Sequence, residues 1–306
     1  MYRNLSPRAL GFSGTVQSEI IELALTYGFR GMDLDIADFG QQVADFGMDH
    51  ARRLIDSAKL KIGNVLLPVR LTGSQADFEA DMKRLPGLME LATQLGCTRV
   101  LTVMEPANDE RSFQDNFEFH RKRLAEIGAV LESKGAKLAV EFMGPAHLRE
   151  GKQFEFIHDL DTALKLIQMV GSSSVGLLVD VWHLYTSGGS VEDIRKIPAD
   201  KVVSVQLADA PADIPREQCK NTDRRLPGET GAIDCVLALE ILRELGYDGP
   251  ITPEPLGKKV VGQGREAAVR AAGQALKRVW EPSTEEAEEA ESEDTEMATA
   301  SAEQSS

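Results

Sequence analysis

Val175-Gly-Leu-Leu-Val-Asp-Val-Trp-His183 is an apolar, β-prone run interrupted by a single carboxylate, Asp180. A strand with one wet face alternates polar and apolar residues, and this run shows no alternation before Asp180. It therefore predicts a strand buried on both faces, as in a parallel sheet covered by helices.

The same signature recurs along the chain. Short β-prone runs are predicted at 9–14, 31–36, 61–68, 99–104, 137–144, 175–183, 202–209 and 250–255. Stretches of helical period lie between them, at 16–27, 50–59, 78–95, 113–133, 160–170, 233–245 and 264–280. The connection after the sixth strand is confined to about 191–197. Gly28, Gly96, Gly135, Gly171 and Gly246 each end a helical run shortly before a strand, where a left-handed C-cap belongs. Eight β/α units in residues 1–280 match an α/β (β/α)8 TIM barrel better than an open doubly wound sheet. No GxGxxG follows the first strand, so a dinucleotide fold lacks its fingerprint.

Composition narrows the function classes. Of the net charge of −15, ten acidic residues lie at 281–306, a segment without Lys or Arg, which leaves about −5 on the body. That tail, rich in Glu, Ser, Thr and Ala, is expected to be disordered. The mildly acidic body offers no electrostatic footprint for nucleic acid. No apolar run approaches the length of a membrane span, and Met1 to Leu10 holds no apolar signal core, so the expected address is the cytoplasm. Cys97, Cys219 and Cys235 form no CxxC pair, which argues against a disulfide framework or thiolate metal site. A homo-oligomer is left open.

In such a barrel the site is built at the C-terminal strand ends, so polar residues there carry the chemistry. Glu141 in Val-Glu-Phe-Met-Gly, Asp180, Gln206 in Val-Gln-Leu-Ala-Asp and Glu254 in Pro-Glu-Pro-Leu stand at four successive strand ends. Three buried carboxylates and an amide oxygen would repel one another without a cation. One divalent ion is therefore expected; hard oxygen donors favour Mn2+ or Mg2+, with Zn2+ and Co2+ open. His183, three residues past Asp180, is read as a second layer or substrate contact, and Trp182 as an apolar face for a sugar. His147, in the Gly-Pro loop after Glu141, is a candidate general base or acid. His50, His120 and His158 are read as surface or packing residues. The long polar loop 210–231 reads as a lid and carries Arg216, Lys220, Arg224 and Arg225. Arg216 and Arg225, with Lys152, are taken as substrate contacts.

These motifs resemble the xylose isomerase-like TIM barrel superfamily, the sugar phosphate isomerase/epimerase group that also holds AP endonuclease family 2-type repair enzymes. The resemblance rests on Glu141, Asp180 with His183, Gln206 with Asp209, Glu254, and the stretch containing Arg225, Pro227, Gly228, Glu229, Gly231, Ile233 and Asp234. It covers about residues 9–280 and implies that Glu141, Asp180, Gln206 and Glu254 hold the metal. It also implies that Glu141 and Glu254 move a proton beside a metal-bound carbonyl. Gln206 departs from the His usual in epimerases, and is similar to branches acting on keto-inositols or keto-glycosides, where a histidine at the place of His147 serves as base. Thr230 is an extra residue in the Pro-Gly-Glu stretch.

The leading expectation is a metal-dependent isomerase or epimerase of a sugar or keto-polyol. The alternative is a lyase, either a keto-inositol dehydratase or a β-eliminating cleaver of keto-glycosides. A non-catalytic sugar-binding subunit ranks lower, and a repair endonuclease lowest, because only five His are present.

Overall fold

The computed structural model describes residues 1–12 and 16–281. The acidic tail from 282 onward lies outside the described residues.

Eight parallel strands close into a barrel in chain order. They are β1 (Tyr2–Leu5), β2 (Gly31–Leu34), β3 (Lys61–Leu66), β4 (Arg99–Met104), β5 (Lys137–Phe142), β6 (Val175–Asp180), β7 (Val202–Leu207) and β8 (Pro250–Pro253). Closure is made by β1, which pairs with β8 through Tyr2 and Pro250 and with β2 through Asn4 and Gly31. Around the barrel lie α1 (Gln17–Thr26), α2 (Ile36–Phe46), α3 (Met48–Ala58), α4 (Gln75–Gln94), α5 (Phe113–Ser133), α6 (Leu160–Val170), α7 (Val181–Thr186), α8 (Cys235–Glu244) and α9 (Arg265–Trp280). No helix among the described residues is long and apolar enough to cross a membrane.

Most predicted elements fall within a few residues of these bounds, and all five punctuating glycines have positive φ, from 66° to 77°. Three local differences matter. The first strand is Tyr2–Leu5 rather than 9–14. The apolar residues Ala9 and Leu10 instead pack in a 3-10 turn closed by Gly11 at φ 76°, while residues 13–14 lie outside the described ones. Helix α2, with Gly40 inside it and Gly47 at its end, is absent from the predicted elements, yet Ile36, Phe39, Val43 and Phe46 carry a helical spacing and Asp35 caps it, accepting from the N–H groups of Ala37 and Asp38. The sixth strand stops at Asp180, because its carboxylate accepts the Trp182 N–H at 2.9 Å and starts α7 at once. The expected connection near 191–197 is a 3-10 helix, Val191–Lys196.

The main core fills the space between strands and helices. A small separate cluster takes one residue from each of β4 to β7: Leu101, Ala139, Leu178 and Val203. The barrel interior is also crossed by polar side chains. Ser204 Oγ on β7 donates to Asn64 Oδ1 on β3 at 2.9 Å, and these strands are not neighbours. Asn4 Nδ2 donates to Asp33 Oδ1 at 2.7 Å and to Thr252 Oγ1 at 3.0 Å.

On the outside of the barrel, α5 buries His120 against Phe156, with ring centroids 4.9 Å apart. Its Nδ1–H donates to the Asn116 carbonyl, and burial pushes the ring down from 6.5 to about 4. An unfolded chain therefore takes up this proton at higher pH than the folded one, so stability is whole above about pH 6.5 and declines as the pH falls towards about 4. The loss attributable to this ring amounts to about 3 kcal/mol, at 1.36 kcal/mol for each unit of pKa difference. Denaturant unfolding at pH 7 and pH 4.5 checks it: His120→Leu should lose about 2 kcal/mol less than the parent across that interval. Equal losses would show that the buried ring carries no acid penalty.

Candidate metal and substrate site

The parallel register sets the site at one height. Asp180 at the end of β6 pairs with Gln206 on β7, Glu141 on β5 pairs with Val103, and Glu254 follows β8 with its N–H on the Leu207 carbonyl at 2.8 Å. Four side chains thereby meet at the C-terminal mouth, where the sequence pattern put them.

His183 joins them from the first turn of α7. Its Nε2 lies 3.3 Å from Glu141 Oε1 and 3.6 Å from Asp180 Oδ2, and a donor atom from each of Glu141, Asp180 and His183 falls within 4.8 Å of the others. Burial pushes the His183 ring down to about 4, so it is neutral. A neutral ring has one lone pair, while the Gly144 N–H faces Nδ1 at 3.2 Å and Arg224 Nη2 faces Nε2 at 3.0 Å. One of the two donors goes unanswered.

Burial, with the charge of neighbouring carboxylates, pushes the carboxyls of Glu141 and Glu254 up. Arg224 opposes that repulsion. Its guanidinium is buried, Nη1 donates to Asp180 Oδ2 at 2.7 Å and to Glu254 Oε2 at 3.0 Å, and it lies 5.4 Å from the Trp182 ring centre. Burial works against its charge but is outweighed by Asp180, Glu254 and Glu141, so the group stays a cation.

The donor set suits a divalent ion. Gln206 Nε2 donates to Glu254 Oε1 at 3.3 Å, which leaves Gln206 Oε1 buried with no hydrogen-bond partner among the described residues. An orphaned amide oxygen beside three carboxylates is costly unless it meets a cation.

A cavity of about 540 Å³ opens beside this cluster. Glu141, Gln206 and Glu254 form one wall, and the other comes from β1 to β3 and their loops, including Arg8, Asp33, Asp35, Asp38 and Asn64. The remaining candidates lie elsewhere. His147 is half-buried in the turn Ala146–Leu148; it is not among the residues lining the cavity, and burial followed by the Lys220 charge lowers its pKa. Trp182 is fully buried and donates through Nε1 to Asn221 Oδ1 at 3.0 Å, while Lys152 pairs with Asp109 at 2.8 Å on the surface. Arg216 Nη1 donates to the Gly188 carbonyl at 3.2 Å, and Arg225 Nη1 to the Asp223 carbonyl at 2.8 Å.

From the sequence, Arg225 rather than Arg224 is taken as a substrate contact, whereas the structure brings Arg224 to the carboxylates and Arg225 to the Asp223 carbonyl. The choice is made by an isolated antiparallel bridge in which the Arg225 N–H reaches the Asp209 carbonyl and the Asp209 N–H reaches the Arg225 carbonyl. Successive residues in extended chain face opposite ways, so only Arg224 enters the cluster. The Asp209 carboxylate secures the arrangement by accepting the N–H groups of Ala210, Thr230, Gly231 and Ile233 at 2.7–2.9 Å. Asp33, a carboxylate within the second strand, and Arg8, a cation just past the first, also line the cavity and were not singled out; the misplaced first strand hid Arg8.

Comparison with known proteins fits this geometry. The chain is 26% identical to an inosose isomerase of Bacillus licheniformis over 62% of its length and 66% of the relative's. It is 25% identical to a 3-dehydroshikimate dehydratase of Pseudomonas aeruginosa over 83% of its length and 38% of that larger protein. The aligned part thus spans less than two thirds of either relative. The IOLI protein, solved with a zinc atom bound, superposes with a TM-score of 0.75 at 20% identity over 92% of this chain and 98% of that one. These relatives are enzymes, and the carboxylate cluster with His183 is a site that suits a divalent metal. A family model describing the xylose isomerase-like TIM barrel matches residues 21–279, and the chain belongs to that family.

Proposed function

We propose that the chain is a divalent-metal-dependent isomerase or epimerase that moves a proton next to the carbonyl of a sugar or keto-polyol. The observation that carries this is the pair Glu141 and Glu254, facing one cavity from β5 and β8 with the partnerless Gln206 Oε1 between them in strand order. The names of the inosose isomerase and dehydratase relatives support the reading, because both reactions concern hydroxylated rings.

Glu141, Asp180, Gln206 and Glu254 would hold the ion, which when bound supplies a Lewis acid to a carbonyl oxygen. Their oxygen donors suit Mn2+ or Mg2+, and the zinc atom of the IOLI protein keeps Zn2+ in the panel. The protein's own groups do the rest. One of the two glutamates takes the proton from the carbon beside the carbonyl while the C–H electrons pass towards the carbonyl oxygen. The other returns a proton, on the opposite face of the same carbon in epimerisation, or in isomerisation to the former carbonyl carbon while the hydroxyl proton of the first carbon passes to the former carbonyl oxygen. Arg224 holds the Asp180 and Glu254 carboxylates in place, and the buried wall of Trp182 and His183 keeps water from that side.

The reaction class is tested by incubating metal-loaded protein with inosose in D2O. Deuterium should appear beside the carbonyl with the product's skeleton intact; loss of water would instead establish the dehydratase reading, and no exchange on any keto-sugar or keto-inositol would sink both. Glu254→Gln should lower metal content and reduce kcat by at least the roughly 10²–10⁴-fold typical of a lost acid–base group. His147→Ala, outside the cavity lining, should keep kcat within about threefold, whereas a residue serving as the base would cost that larger factor. A large loss in His147→Ala with metal content intact would return the base to the loop after β5.

A further inference from the structure

The wall of the cavity opposite the carboxylate cluster is organised around Asp33. Asn4 Nδ2 and Asn64 Nδ2 donate to it at 2.7 and 2.8 Å, both at Oδ1. Neither amide is free to turn, since Asn4 also donates to Thr252 Oγ1 and Asn64 also accepts from Ser204 Oγ. Gly63 on β3 lacks a side chain where Asn4 enters, and Gly31 on β2 lacks one where Tyr2 and Asn4 both press in. A Cβ on Gly63 would stand 2.1 Å from Asn4 Oδ1, and one on Gly31 would stand 2.9 Å from the same oxygen. Barrel interiors are ordinarily filled by branched apolar residues, and burying this many polar groups costs stability. The carboxyl also receives the Ser6 hydroxyl and the Asn64 backbone N–H, and it lines the cavity together with Ser6.

The charges on that wall point the same way. Asp33, Asp35 and Asp38 line it with Arg8 as the only cation among the lining residues described. An anionic substrate group placed there would meet three carboxylates, whereas a hydroxyl would find acceptors.

We infer that Asp33 is a specificity-determining contact, which accepts a hydroxyl from the end of the substrate remote from its carbonyl and commits the cavity to uncharged polyols over carboxylated rings. This rests on the reading that the carbonyl end sits at Glu141 and Glu254.

The test separates binding from turnover with two hydroxylated six-membered rings that lack the carbonyl: myo-inositol, uncharged, and shikimate, a carboxylate. Each is titrated into the manganese-loaded protein and followed by NMR. The parent protein should bind myo-inositol at least tenfold more tightly than shikimate. Asp33→Asn keeps one oxygen for the two side-chain amides and turns the other acceptor into an NH2, so its melting temperature is measured alongside to show that it folds. It should bind myo-inositol at least tenfold more weakly and shikimate within threefold of the parent. A parent that prefers shikimate, binds neither ring, or loses nothing on Asp33→Asn overturns the inference, and the parent's preference decides the matter even without a folded variant. If deuterium still exchanges into inosose, the proton-transfer reading survives that failure; if exchange is absent too, both fall.

Discussion

Three carboxylates brought together out of water constitute the constraint from which the rest of this molecule follows. Glu141, Asp180 and Glu254 stand at the ends of β5, β6 and β8, and crowding their charges away from water costs free energy that the surroundings must offset. Arg224 opposes it directly, and the loop that carries Arg224 is in turn tied down by Asp209. The same repulsion explains why Gln206 is an amide: a fourth carboxylate would add charge where an amide adds a neutral donor to Glu254 and a neutral acceptor for a cation.

The barrel divides its labour between its halves. Strands β5 to β8 supply the carboxylates, and they are walled by buried Trp182, His183 and Arg224. Strands β1 to β3 supply a polar scaffold that ends in one fixed carboxylate, Asp33. The cavity lies between them, so under the proposed function the reacting end and the recognised end of a ligand fall to different parts of the chain.

The fold was legible because buried parallel strands and amphipathic helices differ in period, and because five glycines mark helix ends through their left-handed conformation. What failed was local competition. Tyr2–Leu5 looks polar for a strand because Asn4 turns inward to a bonding network that no single-sequence pattern announces. Ala9 and Leu10 look like a strand because they are apolar, but Pro7 and Gly11 fold them into a turn. In the site, Glu141, Asp180, Gln206 and Glu254 were legible as polar interruptions at strand ends. Arg224 was not, because its role depends on which way one residue of a long loop faces, and that is decided by the bridge to Asp209. Asp33 was obscure for a similar reason: its partners come from β1 and β3, distant in sequence and silent until the barrel closes.

The four N–H groups gathered by Asp209 have a consequence for how such a protein can diverge. Asp209 grips both ends of the loop, at Ala210 and at Thr230 to Ile233, and fixes Arg225 opposite itself, so Arg224 is placed by residues next to the knot rather than by the intervening span. Between Pro211 and Asp223 the exposed positions, such as Ala212, Asp213, Glu217 and Gln218, can change or gain neighbours at an entropic cost that grows only slowly with length, while buried Cys219 and the Asn221 contact to Trp182 stay fixed. A lineage carrying this knot can rewrite its outer loop, and with it what the mouth of the barrel presents to solvent, while the guanidinium at the centre stays where it is.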